Sequence, residues 1–146
     1  MNFKRTLISV VTCLLLVSNV TAQEEVSLYD SKGNAVAYIA DDSTIYLWDG
    51  DPVAYLSKSK DDVNIYGFNG KHLGWLEEGI IIDHKGYGVG FVKGAVEMIT
   101  AIEPIKGIKS IKPIKSIKEI APIKSILLDK WSRTPLKVFL GLGIDD

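Results

Sequence analysis

One seven-residue phrase is written four times between Leu28 and Val92: a glycine, two variable residues, an aliphatic, a small residue, an aromatic and a closing aliphatic. The copies are Gly33-Asn34-Ala35-Val36-Ala37-Tyr38-Ile39, Gly50-Asp51-Pro52-Val53-Ala54-Tyr55-Leu56, Gly70-Lys71-His72-Leu73-Gly74-Trp75-Leu76 and Gly86-Tyr87-Gly88-Val89-Gly90-Phe91-Val92. A unit repeated this way is one supersecondary element multiplied in space, and it restricts the architecture more than any other feature of the chain.

Each glycine follows a segment rich in β-branched and aromatic residues: Val26–Tyr29, Thr44–Trp48, Val63–Tyr66 and Gly79–Ile82. Such segments read as strands. Asp49-Gly50 and Asn69-Gly70 between strands are dipeptides that tolerate positive φ at both central positions, and Lys32-Gly33 and Lys85-Gly86 stand at the equivalent places. The reading is four β-hairpins. Strict alternation puts the aliphatic and the aromatic (Val36 with Tyr38, Val53 with Tyr55, Leu73 with Trp75, Val89 with Phe91) on one face. The small residue and the closing aliphatic then share the other face, where repeated Ala or Gly predicts a close approach of backbones around a common axis.

A second period follows. Isoleucine recurs every third residue from Ile102 to Ile126, with lysine behind it at 106, 109, 112, 115, 118 and 124. Three residues per turn suits neither an α-helix, which Pro104, Pro113 and Pro122 would break, nor a strand. It suits polyproline II, which places every isoleucine on one edge of a rod roughly 75 Å long when extended. A rod so long wraps round the body, bends or projects. The favoured expectation packs the isoleucines on the hairpins with the lysines outward to water or toward the acidic loops, since soluble proteins rarely leave such a stripe uncovered. A cationic arm reaching an anionic surface and a partly disordered tail are the alternatives.

The ends complete the organisation. Lys4 and Arg5, the apolar run Leu7–Val17 and the small residues before Gln23 read as a cleavable signal peptide over 1–22, which would remove the sole cysteine, Cys13. Its loss takes the net charge from −1 to −3. Residues 23–95 form the four-hairpin rosette, 96–101 a connector, 102–126 the Ile-Lys ladder, and 127–146 a segment that packs on the body or is partly disordered. Within these, Val96–Ala101 reads as a strand or turn, Ile126–Trp131 as a turn of helix or closing strand, and Pro135–Leu140 as a short strand. The rosette is net −6 and the remainder +3, so the two halves suit docking on each other rather than nucleic acid.

Chemistry is scarce. His72 and His84 both fall at hairpin turns and read as exposed turn residues, so no catalytic residue, metal site or cofactor is expected. Asp49-Gly50-Asp51 lacks the further oxygens of a calcium loop, and Asp41-Asp42 with Asp61-Asp62 read as solvated connectors. Aromatics recurring before the turns offer stacking surfaces. Trp48, Tyr66 and Phe68 are the candidate contacts for a glycan or peptide, and Lys106, Lys109, Lys112, Lys115 and Lys118 for an anionic lipid surface.

The four-fold hairpin phrase over residues 26–95, behind a leader and ahead of an Ile-Lys tail, resembles the bacterial 4-fold beta flower domain. The resemblance implies an all-β fold of four hairpins about a pseudo-fourfold axis, followed by the extended, polyproline-II-like repeat. It implies no activity and no site residues. The expectation is an exported, non-enzymatic structural or interaction module of the cell envelope (periplasm, outer surface or medium), with an envelope protein, a glycan or an anionic lipid as partner.

Overall fold

The computed structural model describes residues 24–144; the leader over 1–22 and Cys13 lie outside the described residues. Eight antiparallel strands follow in chain order: β1 Val26–Tyr29, β2 Ala35–Ile39, β3 Thr44–Leu47, β4 Pro52–Ser59, β5 Asp62–Gly67, β6 His72–Glu77, β7 Ile80–Ile82 and β8 Gly88–Val92. They close into a barrel, β8 returning to β1 through Leu28 opposite Val92 and Tyr29 opposite Phe91. Hairpins β1–β2, β3–β4, β5–β6 and β7–β8 are the four petals. Closure leaves no sheet edge to attract another chain.

The turns differ from the expected two-residue form. Only the glycines take positive φ: Gly33 +83°, Gly50 +101°, Gly70 +86° and Gly86 +88°. Asp30 and Asn34 pair across a three-residue loop, as do Leu47 and Asp51, Gly67 and Lys71, and Asp83 and Tyr87. This is a tight turn closed by one left-handed glycine. The side chain of Asp30 holds the loop by accepting from the N–H groups of Lys32 and Asn34, and Asp83 does the same for Lys85 and Tyr87.

Strict alternation also fails at one place in every petal. Leu28 faces Ala37 but Tyr29 faces Ala35, skipping Val36; Val53, Leu73 and Val89 are skipped in the same way. Such a bulge inserts one residue into one strand and turns its side chain. The repeat's aliphatic therefore joins the interior with the small residue, and the aromatic alone faces the outer wall. The interior cluster accordingly holds Val53, Leu73 and Val89 together with Ala37, Ala54, Ile45 and Ile65.

What the small residues make room for is the C-terminal segment. Pro135–Leu140 was expected as a strand; instead α1 spans Leu136–Gly141. Leu136, Phe139 and Leu140 are spaced to share one helical face, and all three lie in the barrel core. A Cβ on Gly74 would stand 3.1 Å from the Phe139 ring, and one on Gly90 2.8 Å from Leu136 Cδ2. Val96–Ala101 contains no strand, while Trp131 forms a single parallel bridge with Gly88. The tail is fastened beyond the helix as well, the Asn69 N–H donating to the Gly143 carbonyl at 3.0 Å.

Between body and helix, residues 99–128 form a strap with neither helix nor strand, bound to the barrel by its backbone. Ala101, Ser110, Glu119 and Leu128 each donate their N–H to a turn-glycine carbonyl, of Gly33, Gly50, Gly70 and Gly86 in turn, at 2.8–2.9 Å. The donors are nine residues apart, so three short repeats carry the strap from one petal to the next. Gly107 and Ser116, also nine apart, donate to the carbonyls of Trp48 and Phe68. Prolines 104, 113 and 122, also nine apart, fall at third positions between these ties, where a missing N–H loses nothing. The ladder thus wraps the body.

Because the strap lies on the turns, a Cβ at Gly50, Gly70 or Gly86 would overlap the carbonyl oxygen of Ile108, Ile117 or Ile126. Gly94, with φ +89°, has nothing within 4 Å of such a Cβ. Gly94→Ala is expected to cost only the left-handed strain, about 1 kcal/mol, whereas Gly50→Ala adds the displacement of the strap and loses about 2 kcal/mol or more. Urea unfolding of both variants checks this; equal losses would mean that the strap does not bear on the turn. Phe139→Ala should lose about 3–5 kcal/mol by emptying the barrel mouth.

Candidate functional site

The outer wall is built from the aromatics that the bulges leave facing outward. Neighbouring petals pair them across their seams: Tyr38 opposite Tyr46, Tyr55 opposite Tyr66, Trp75 opposite Ile82 and Phe91 opposite Tyr29. Ring centroids of the all-aromatic pairs stand 5.6–6.2 Å apart. Carboxylates of Glu25, Asp42, Asp62 and Glu77 stand near these seams, so the wall offers π faces and negative charge, both of which suit a cation.

The strap supplies the cations. Lys106 Nζ lies 4.4 Å from the Tyr38 ring centre and 5.1 Å from Trp48, and Lys109 5.3 Å from Tyr46. Nine residues on, Lys115 lies 4.1 Å from Tyr55 and Lys118 5.4 Å from Tyr66. Ion pairs complete the contact: Lys106 and Lys109 with Glu25, Lys112 with Asp42 at 2.5 Å, and Lys124 with both Asp62 and Glu77. Lys112, hydrogen-bonded to its carboxylate, holds Asp42 down to about 2, and the carboxylates of Glu77 and Asp62 raise Lys124. Each partly exposed pair is worth little by itself, and the set acts together.

With the lysines inward, the isoleucines face away. Ile99 and each third residue through Ile126, ten in all, are 85–97% exposed. This reverses the expectation that isoleucine would pack on the body. The reason lies in the barrel: its interior is filled by its own aliphatics and α1, and the outer wall presents rings and carboxylates. A backbone with three edges turns its ammonium edge to that wall, its third-position N–H groups to the turns and its apolar edge to water. The outcome is a continuous curved line of apolar side chains carried round the closed barrel.

The seam between the third and fourth petals departs from the pattern. His84 stands two residues before Gly86, where the second and third petals have Trp48 and Phe68. Its Nε2 is 2.9 Å from Nδ1 of His72, and the rings stack at 5.1 Å. His72 was expected to be exposed, but it is 3% accessible, wedged between Tyr66 and Trp75 with Nε2 2.9 Å from Asn64 Oδ1. The strap reaches it too, since Glu119 Oε2 accepts the His72 backbone N–H at 3.0 Å. Burial, then the neighbouring His84, holds His72 down to about 4 against the opposing charge of Glu119. A cleft of about 860 Å³ opens here, bordered by His72, His84, Glu119, Lys130, Trp131 and Arg133. Among the described residues no group of three His, Cys, Asp or Glu could hold a metal ion, and no helix is long and apolar enough to cross a membrane.

Of the residues singled out in the sequence, Trp48 is half-buried and donates its Nε1 hydrogen to the Pro104 carbonyl at 3.0 Å. Tyr66 and Phe68 are buried, and the Tyr66 hydroxyl donates to the Glu119 carbonyl at 2.8 Å. All three hold the strap. Lys106, Lys109, Lys112, Lys115 and Lys118 likewise point at the barrel; Lys118 also reaches the Ser57 hydroxyl. Sequence reasoning passed over the nine-residue superperiod, although the prolines at 104, 113 and 122 announce it.

A closed antiparallel barrel of four hairpins, plugged by a C-terminal helix and girdled by its own strap, defines a β rosette in which the tail is part of the domain. The family model described as 4-fold beta flower protein matches residues 26–140, and the chain belongs to that family. The match takes in the strap and nearly all of α1, not the hairpins alone. No curated protein and no solved structure matches the chain.

The buried histidine makes stability depend on pH. Its folded value lies below the ordinary 6.5, so between the two the unfolded chain takes up a proton that the folded chain refuses. The contribution of neutral His72 is complete above pH 6.5, declines toward pH 4 and is flat below it, a loss of up to about 3 kcal/mol. Melting temperatures measured across this window should fall for the natural protein and flatten for His72→Gln. An identical decline in both would assign the effect to other groups. Asp42 acts in a lower window, its stabilisation lost as pH falls below 3.8 toward 2.

Proposed function

We propose that the chain is an exported, non-catalytic interaction module of the cell envelope whose contact surface is the outward isoleucine edge of the strap. One observation carries this reading: ten isoleucines, 85–97% exposed, at a fixed spacing on a backbone tied down at four petals. Soluble proteins seldom expose a contiguous apolar surface of this extent without using it. The backbone beneath is already hydrogen-bonded to the four turns, so little ordering is lost when a partner arrives.

The leader-like residues 1–22 support export. A domain without cysteine after that leader needs no disulfide in an oxidising compartment. Stacking of sugars or peptides on Trp48, Tyr66 and Phe68 is not favoured, because the strap already covers them. An electrostatic hold on anionic lipid is not favoured either, because the ladder ammonium groups are engaged by the chain's own carboxylates and rings.

Fractionation tests the reading. The full chain, expressed in a bacterial host, should leave the cytoplasm with an N-terminus near Gln23 and sediment with the envelope. Substituting serine for Ile105, Ile114 and Ile123 together should release the folded protein into the soluble fraction. Retention of the variant on the envelope would remove the isoleucine edge from the function, and an uncleaved cytoplasmic chain would remove export.

A further inference from the structure

We infer that the occupant of the isoleucine edge is a second copy of this chain, the two straps meeting edge to edge. The inference rests on the preceding reading of that edge as the contact surface, and it names the partner.

Three observations point to the copy. The first is spacing. An extended backbone rises about 3.1 Å per residue, so every third side chain stands roughly 9 Å from the next. An isoleucine fills about half of that interval. The gaps admit side chains of the same period, and another strap has that period over the whole run from Ile99 to Ile126. A partner with strand or helix spacing would fall out of step within two isoleucines.

The second is charge. Lys106, Lys109, Lys112 and Lys124 pair beneath the edge with Glu25, Asp42, Asp62 and Glu77, and Lys115 and Lys118 stand over the Tyr55 and Tyr66 rings. The edge itself is therefore uncharged, whereas the chain without its leader is net −3. An anionic bilayer would meet a body of its own sign, and the ladder ammonium groups that could offset the repulsion are already engaged by the barrel's carboxylates and rings. A second copy carries a net charge of only −3 instead of a continuous anionic surface, and its uncharged edge buries the same apolar surface against less repulsion.

The third is direction. The strap runs one way past the turns of petals one to four, through Gly33, Gly50, Gly70 and Gly86. Two such edges placed antiparallel are related by a two-fold axis, so over the arc where they meet an isoleucine of one copy enters an equivalent gap of the other and the contact is self-complementary. The backbone beneath is already bonded to its own turns, so the pairing is one of side chains and opens no hydrogen bond. The edge also continues past the contact, since nine residues carry it only from one petal to the next. Further copies find the same edge on other sides of the barrel.

Sedimentation velocity on the full purified chain tests the inference, run from low to high micromolar concentration beside a variant carrying serine at Ile111, Ile114 and Ile117. These three side chains are 94–96% exposed, so their loss leaves the barrel contacts intact, and circular dichroism confirms the fold. The natural chain should at least double in mass as concentration rises, and the variant should remain a monomer throughout. A natural chain that stays monomeric overturns the inference, as does a variant that associates equally well. Flotation with phosphatidylglycerol vesicles separates this failure from that of the broader reading. Monomers that float, and lose flotation with the three isoleucines, overturn the second copy in favour of lipid while the edge remains the contact surface. Monomers that neither associate nor float overturn the second copy, and they overturn the edge as contact surface as well where the serine variant also stays on the envelope in fractionation.

Discussion

Everything on the outside of this protein hangs on the hydrogen bond between a turn-glycine carbonyl and a strap N–H, made four times at nine-residue intervals. Positive φ at the glycine closes the hairpin, and the absent side chain lets the strap's isoleucine carbonyl pass above it. The same residue therefore serves two close approaches. Once the strap is pinned at the turns, its lysines are directed over the seams between petals, and its isoleucines have only solvent to face. Turn chemistry, strap register and surface character are one constraint seen at three scales.

Inside, a second substitution for missing volume operates. Ala37, Ala54, Gly74 and Gly90 leave the barrel short of filling side chains, and α1 supplies Leu136, Phe139 and Leu140 to the same cluster. The bulges help by turning Val53, Leu73 and Val89 inward. The barrel is thus completed by the C-terminal end of the chain, which explains why the family match extends through the strap to Leu140. Burial of large apolar side chains carries this stability, as in any core.

The four hairpins were legible because a glycine recurring before an aliphatic, a small residue and an aromatic is a local signal, and local signals survive in one sequence. The facing of Val36, Val53, Leu73 and Val89 was not, because a bulge is decided by the neighbouring strand's register. The strap's three-residue period was plain, yet its orientation was misread: isoleucine inward is the right rule only where an apolar surface waits, and this wall offers Tyr38, Tyr55, Tyr66 and acidic groups. Pro135–Leu140 read as a strand although Leu136, Phe139 and Leu140 carry helical spacing, because six residues hold less than two turns of signal. His72 looked like a turn residue, and only the fold brings it to Asn64, Trp75 and His84.

Amide hydrogen exchange, resolved residue by residue, tests the girdled barrel most directly. The account predicts slow exchange at Ala101, Ser110, Glu119 and Leu128, and at Gly107 and Ser116, with fast exchange at the intervening isoleucines and lysines, whose N–H groups have no partner among the described residues. Protection recurring every nine residues would establish the strap as part of the fold. Uniformly fast exchange from Ile99 to Leu128 would contradict it and leave a plugged barrel with an unattached arm.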